Sequence, residues 1–279
     1  MRRAAALCLV LAGSVSRAEE PQSASPLVIG ANATGGLGAK LTFNRIETFA
    51  AWDRSNADAT GGWTGTLYWG ARADGVWSSQ AEAHNRAEAS LELGFGNDFE
   101  TASAIHGLTF AFDFKGQNGT FDASDGSKSL NEYLYGPKLV YRLSWVKLND
   151  FLQKYANNLG DAPALTAGFY RKGGRTDELV LPERLRADEL YAQFRFTTPL
   201  IPLPSSRRAG QAVVLSVLLQ ATRPLQGADR SNARFVDATL TLNSGGTTRP
   251  AISYRSGEKE GLKYDRQLLF GLLWDLRPR

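Results

Sequence analysis

The sequence contains very few of the residue types that most often carry out enzyme chemistry. It has one cysteine, Cys8, and two histidines, His84 and His106, in 279 residues. Cys8 lies in an apolar segment near the N-terminus, so the rest of the chain has no thiol for catalysis, metal binding or disulfide formation. Two separated histidines do not form a dedicated transition-metal site. We therefore expect no bound metal and no cofactor.

Long apolar runs are also absent after the first residues of the chain. No later stretch approaches the ~18 consecutive apolar residues that indicate a transmembrane helix. The N-terminus has a basic start at Arg2 and Arg3, an apolar run over residues 4–13, and small residues at Ser16 and Ala18. This order is typical of a secretory signal peptide, which predicts cleavage after residue 18.

Net charge is nearly balanced once the predicted signal peptide is excluded. Loss of Arg2, Arg3 and Arg17 would reduce the 32 basic residues to 29, against 28 acidic residues. A balanced charge gives no reason to expect a nucleic-acid partner. Residues 19–279 contain no fixed-period repeat, low-complexity tract or linker. We therefore predict a single domain over residues 19–279.

Apolar and polar residues alternate along much of this domain, as they do in strands with one apolar face. Alternation is clearest in residues 63–73, 86–95, 108–115, 138–145, 189–196, 236–243 and 268–276. Shorter or less regular candidates are residues 27–33, 39–52, 164–172, 211–222 and 249–255. The pattern in residues 39–52 breaks near Arg45 and Glu47, which predicts a β-bulge. Residues 147–158 are the one helix candidate.

The end of the chain narrows the class of fold. Leu268, Phe270, Leu272, Trp274 and Leu276 form one wholly apolar strand face. With the alternating strands and the signal peptide, the closing Phe270-Gly271-x-x-Trp274-x-Leu276 pattern resembles outer-membrane β-barrels of the Gram-negative envelope. The resemblance is to the porin-like class and to no single family. It implies an all-β fold, a single antiparallel transmembrane β-barrel located in the outer membrane.

Barrels of this class have an even number of strands, and the candidates above predict twelve, with ten as the alternative. The resemblance also implies two partners, outer-membrane lipid and the barrel-assembly machinery, which would act through the C-terminal strand. Polar loops outside the cell are predicted at residues 74–84, 116–135, 173–186, 223–232 and 256–263. A soluble β-sandwich remains the alternative fold, because it would produce the same alternation with its apolar face turned inward.

Charged residues are concentrated on the polar face of the predicted strands. In a barrel, this face lines the lumen. The predicted lumen-lining residues are Arg72, Arg86, Glu88, Glu92, Asp113, Lys138, Arg142, Glu189, Arg195, Asp237, Arg255 and Asp275. With Lys115 and Arg249 included, basic residues outnumber acidic residues by eight to six.

Three functions are compatible with this pattern. The preferred hypothesis is a small channel or passive transporter for polar solutes, because charged walls suit an aqueous lumen. The alternative is a non-conducting barrel with a structural, assembly or surface-binding role, for which the long 116–135 segment would serve. A lipid-acting barrel enzyme would need a His-x-Ser pair on one strand face, and neither His84 nor His106 has one. We therefore predict that the protein is not an enzyme.

Overall fold

The computed structural model consists of twelve β-strands. It describes residues 26–32, 36–54, 63–79, 86–101, 104–123, 126–145, 163–173, 188–202, 212–226, 232–243, 248–259 and 262–275. The strands are β1 (Pro26–Asn32), β2 (Leu37–Arg54), β3 (Trp63–Ser78), β4 (Arg86–Glu100), β5 (Ala104–Ala123), β6 (Gly126–Trp145), β7 (Ala164–Gly173), β8 (Glu189–Pro202), β9 (Ala212–Pro224), β10 (Ala233–Asn243), β11 (Thr248–Lys259) and β12 (Leu262–Asp275).

These strands form one closed antiparallel barrel. Each strand pairs with its neighbours in sequence, and β1 closes the ring by pairing with β12. The closing register sets Leu27 opposite Trp274 and Gly30 opposite Gly271. Closure leaves no free sheet edge, which is the condition for a β structure that crosses a membrane. The prediction of an all-β antiparallel barrel with twelve strands is confirmed.

The barrel is apolar outside and polar inside. On β4, Leu91 is 60% exposed, while Glu88 is 7% exposed. On β5, Phe110 is 58% exposed, while Asp113 is 5% exposed. A soluble sandwich would bury the apolar face instead, so the sandwich alternative is wrong. The arrangement is that of a transmembrane barrel, whose apolar band faces lipid.

Two belts of aromatic residues border the apolar band on β4, β5 and β6. At one end, the Phe99 and His106 rings stack with centroids 4.9 Å apart. At the other end, the Phe114 and Tyr133 ring centroids are 5.9 Å apart. Eight residues separate the belts along β5, which corresponds to roughly 27 Å of strand and about 20 Å along the membrane normal after tilt. This height agrees with the ~25 Å band of outer-membrane barrels.

The β5–β6 hairpin differs from the sequence prediction. Residues 116–135 were expected to form a loop, but pairing continues to the Ala123–Gly126 pair. The expectation was wrong because glycine, asparagine and aspartate were interpreted as loop signals. Cross-strand pairing overrides these weak local preferences. For the same reason β11 and β12 extend into the predicted 256–263 loop, to Lys259 and from Leu262.

Other expectations have different outcomes. The predicted bulge in residues 39–52 is present as a register shift between Thr48 and Ala50. The signal peptide (residues 1–18) and the helix candidate at 147–158 lie outside the described residues. Within the part of the chain that the structure describes, no helix has the length and apolar character to span a membrane.

Candidate functional site in the barrel interior

The interior of the barrel contains buried charged side chains. Eleven charged residues in the described part of the chain have relative exposures of 9% or less: Lys40, Asp74, Arg86, Glu88, Asp113, Lys115, Glu132, Glu189, Arg249, Arg255 and Lys259. A buried charge is costly unless it is paired and hydrogen-bonded. The arrangement of partners therefore decides whether this interior can hold an aqueous pore.

One group of charges, which we call the β4–β11 cluster, connects opposite walls of the barrel. Lys259 on β11 donates from Nζ to Oε1 of Glu88 on β4 at 2.9 Å. Arg86 donates to Glu88 Oε2 at 2.9 Å, to Gln117 Oε1 at 2.7 Å and to the Lys259 carbonyl at 2.9 Å. Because β4 and β11 are five strands apart around the ring, these bonds cross the lumen.

A second group, the β3–β10 cluster, crosses the lumen beside the first. The Arg255 guanidinium on β11 donates to both Asp74 carboxylate oxygens on β3 at 3.2 Å. Arg255 Nε also donates to Asp237 Oδ2 on β10 at 3.0 Å. Lys40 on β2 forms an ion pair with Asp237 and donates to Thr239 Oγ1 at 3.1 Å. Four strands therefore share one connected set of charges.

The third group, the β4–β7 cluster, lies along neighbouring strands. Lys138 forms ion pairs with Glu92 and, at 3.5 Å, with Asp113. The Tyr170 hydroxyl donates to Asp113 Oδ2 at 2.8 Å. Tyr68 donates a hydrogen bond to Glu92. This cluster covers one wall, while the other two clusters cross the lumen.

Aromatic rings occupy space between the charged groups. The Tyr170 and Tyr191 rings stack with centroids 4.6 Å apart, and the Lys115 ammonium lies 4.9 Å from the Tyr170 ring. The buried Phe235 ring lies 5.7 Å from the Arg255 guanidinium and 5.8 Å from the Lys259 ammonium. Cations over aromatic faces are attracted by the ring quadrupole. These contacts hold the cationic side chains of β11 over the lumen.

The barrel is also flattened. Twelve strands about 4.8 Å apart would enclose a round barrel roughly 18 Å or more across. Instead, Cα atoms of β5 and β12 approach within 8 Å, although the two strands are five positions apart around the ring. The inward faces of these strands carry small residues, including Gly107, Ala111 and Gly271. This close approach narrows the lumen.

The predicted lumen-lining residues occupy several environments. Arg72, Arg86, Glu88, Glu92, Asp113, Lys138, Asp237 and Arg255 belong to the clusters described above or border them. Glu189 is buried and forms an ion pair with Lys172. Arg142 is exposed on the inner wall and contacts Thr109 Oγ1 at 3.3 Å, and Arg195 is half-buried. The side chain of Asp275 lies outside the described residues.

Several interior residues escaped the sequence prediction. Asp74 and Lys259 fell in segments that were interpreted as loops, and Lys40 lies in the segment where alternation breaks down. Tyr170, Tyr191 and Phe235 were missed because an inward aromatic residue looks like an ordinary apolar residue in sequence. Both Asp74 and Lys259 continue the inward-facing positions of a strand beyond its clearly alternating part. Extending each strand's alternation into the adjoining polar segment would have indicated them.

His106 contributes no side chain to the interior. His106 faces outward, and its Nδ1 atom is hydrogen-bonded to the Tyr141 hydroxyl at 2.9 Å. His84 lies outside the described residues. Among the residues that the structure describes, no group of three or more His, Cys, Asp or Glu side chains could hold a metal ion.

Comparison with known proteins gives low-similarity matches to barrels. No protein-family model and no curated protein matches the sequence. The β domain of the Bordetella autotransporter BrkA is 10% identical, with 90% of this chain and 94% of that chain covered and a TM-score of 0.38. The translocator domain of the autotransporter NalP from Neisseria meningitidis is 12% identical, with 98% and 91% covered and a TM-score of 0.31. At these scores the fold assignment depends on the strand pairing described above.

Proposed function

We propose that this chain is a non-conducting outer-membrane β-barrel that closes its own lumen and presents the β5–β6 hairpin outside the cell. The observation that carries the proposal is the pair of clusters across the lumen, in which Arg255 binds Asp74 and Lys259 binds Glu88. The apolar outer wall and the aromatic belts support a location in the outer membrane. The proposal assigns no catalytic reaction to the chain.

Energetics favour a lumen that stays closed. Breaking a buried ion pair by removing one partner costs about 3–5 kcal/mol, because the remaining charge is left uncompensated. Opening the lumen along β11 would separate Arg255 from Asp74 and Lys259 from Glu88 together. Water entering the lumen would solvate the separated charges and offset part of this cost. The clusters therefore disfavour spontaneous wide opening.

The β5–β6 hairpin is the part of the barrel that the proposal places outside the cell. Each of its strands has 20 residues, whereas about 9–11 tilted residues are enough to cross a bilayer. The hairpin therefore extends well beyond the apolar band. Asn118 donates to Asn131 on the exposed face of the hairpin, and backbone pairing continues to the Ala123–Gly126 pair. The two strands therefore stay paired beyond the apolar band.

Export and assembly complete the proposal. We propose that residues 1–18 are a cleaved signal peptide and that the barrel-assembly machinery inserts the chain through β12. In this proposal the apolar outer wall of the barrel contacts outer-membrane lipid. Loss of the chain from the outer-membrane fraction on deletion of β12, with retention on deletion of the hairpin tip, would support this assignment.

Electrical recording in planar bilayers tests the closed lumen. We expect the wild-type barrel to give no steady openings, and the Arg255→Ala/Lys259→Ala double variant to conduct. The matched control is Arg266→Ala, which removes an exposed cation from neighbouring β12 outside the lumen. Heat-modifiable gel mobility checks that each variant is folded. Steady ohmic openings of the folded wild-type barrel would contradict the proposal.

A channel for small polar solutes is the second candidate. It is favoured by one observation: Arg142 is exposed on the inner wall near the end opposite the hairpin tip, so part of the lumen is wet. In this case, the clusters would act as a gate. Liposome swelling in small sugars or amino acids distinguishes the candidates, because only a channel swells the wild-type vesicles.

A further inference from the structure

The outer wall carries an apolar groove that the proposed function does not use. Ala167, Ala192 and Ala221 lie directly opposite one another on β7, β8 and β9. All three face outward, and larger outward side chains such as Leu139 and Leu190 stand beside them. Two adjoining cavities of about 610 and 590 Å³ share this alanine row as their floor. We call this feature the alanine groove.

Its dimensions and lining suit acyl chains. Both cavities are open along the outer wall, and their lining is almost wholly apolar. The alanine side chains project less from the outer surface than those of Leu139, Leu190 and Phe194. The row of alanines therefore forms a groove that runs across neighbouring strands. Because the outer wall faces hydrocarbon, a lipid is the apolar molecule available to fill it. An ordered acyl chain would gain dispersion contacts that a flat wall does not offer.

Basic side chains lie at one end of the groove. Arg171, Arg223 and Arg234 are exposed and face outward near the ends of β7, β9 and β10. Arg223 and Arg234 line the two cavities themselves. All three arginines lie at the end of the barrel where β5 and β6 extend beyond the apolar band. We take this as the extracellular end, because the longer extensions of such barrels are extracellular.

Charge and shape together specify the ligand. Arginine presents a planar fork that binds phosphate oxygens bidentately. Three guanidinium groups above an apolar groove complement a molecule with anionic phosphates and several acyl chains. A zwitterionic phospholipid would satisfy the groove but leave most of the positive charge unmatched.

We propose that the alanine groove and these arginines bind a phosphorylated, multiply acylated glycolipid of the external leaflet. The inference rests on the proposed outer-membrane location and is independent of whether the lumen conducts. The glycolipid phosphates would bind Arg171, Arg223 and Arg234, and its acyl chains would lie along Ala167, Ala192 and Ala221. A bound lipid would strengthen the short β7 wall, where pairing with β6 and β8 is limited.

Native mass spectrometry of the full barrel tests this site. The probe is a bis-phosphorylated, hexa-acylated glucosamine disaccharide, offered to the folded barrel in detergent. We expect one retained lipid on the wild-type barrel, with at least tenfold weaker retention in Arg223→Gln/Arg234→Gln. Ala192→Trp, which fills the groove, should also weaken binding while leaving the arginines in place. Arg266→Gln is the matched control and should bind like the wild type.

Two further arms identify what is recognised. A dephosphorylated form of the probe should bind at least tenfold more weakly, and inorganic phosphate should not displace the intact probe. Equal retention by wild type and both site variants would overturn the proposal, as would equal retention of phosphatidylethanolamine. A stable dimer that Ala192→Trp dissociates would also overturn it, because a second copy would then occupy the groove. A wild-type barrel that fails to enter membranes would instead overturn the proposed function.

Discussion

At the residue scale, this barrel reverses the usual relation between burial and polarity. Its buried side chains include Glu88 and Arg255, while Leu91 and Phe110 are more than half exposed. The reversal is stable only because each described interior cluster pairs its charges. Sequence alternation predicted which face was polar. It could not predict the partners, because Arg255 and Asp74 are 181 residues apart.

Glu88 is the residue on which the β4–β11 cluster depends. Glu88→Gln would remove the carboxylate that Lys259 and Arg86 share, so we expect a loss of about 3–5 kcal/mol in the free energy of unfolding. Urea titration of the folded barrel in vesicles, followed by gel mobility, measures the change. Ser90→Ala, the next inward position on β4, is the control and should cost less than about 1 kcal/mol. An unchanged free energy of unfolding in Glu88→Gln would mean that the cluster is not formed.

Gly271 lies where β12 pairs with β1 to close the barrel, and the backbones of the two strands come too close there for a side chain. A Cβ atom at Gly271 would collide with the backbone carbonyl of Ile29, whereas one at Gly116 would meet no atom within 4 Å. We expect Gly271→Ala to destabilise the barrel by about 3 kcal/mol, near the upper end of overpacking costs. Gly116→Ala is the matched control and should stay within about 1 kcal/mol. The same urea titration compares the two variants. Equal stability of both would contradict the described pairing of β1 with β12.

At the scale of elements, strand existence was predictable and strand length was not. Seven strand positions follow from clear alternation, and the five weaker candidates, including β1, also form strands. The outer halves of β5 and β6 were missed because their polar composition resembles that of a loop. Pairing across 20 residues stabilises each strand beyond the point where its own sequence favours one. Local patterns contain no direct record of such pairing.

The outward face of β5 allows a depth-dependent test. Phe110 lies midway between the aromatic belts, so Phe110→Lys would place a charge near the bilayer midplane. We expect a loss of about 2–4 kcal/mol, the cost measured for lysine at this depth on barrel surfaces. Asn118→Lys, beyond the belt on the same strand face, should cost about 0–1 kcal/mol. Reversible unfolding in lipid vesicles provides both values, and equal costs would contradict the assigned membrane position.

At the scale of the whole molecule, closure was predictable and lumen width was not. The resemblance of the C-terminal strand to barrel closing strands predicted that the first and last strands would pair. The flattening depends on the approach of β5 to β12 across the ring, which no local pattern encodes. The preference for a channel came from counting inward charges. That count cannot distinguish charges that line water from charges that bind each other.

The central claim is that the barrel turns its apolar face to lipid around a closed, charged interior. Because Cys8 is the one cysteine and lies in the predicted signal peptide, single-cysteine variants can carry spin labels along residues 108–115 without interference. Collision with lipid-soluble oxygen and with a water-soluble nickel complex is then measured in vesicles. We predict that even-numbered positions collide with oxygen, while odd-numbered positions are shielded from both reagents. Even-numbered positions shielded from oxygen would contradict the account.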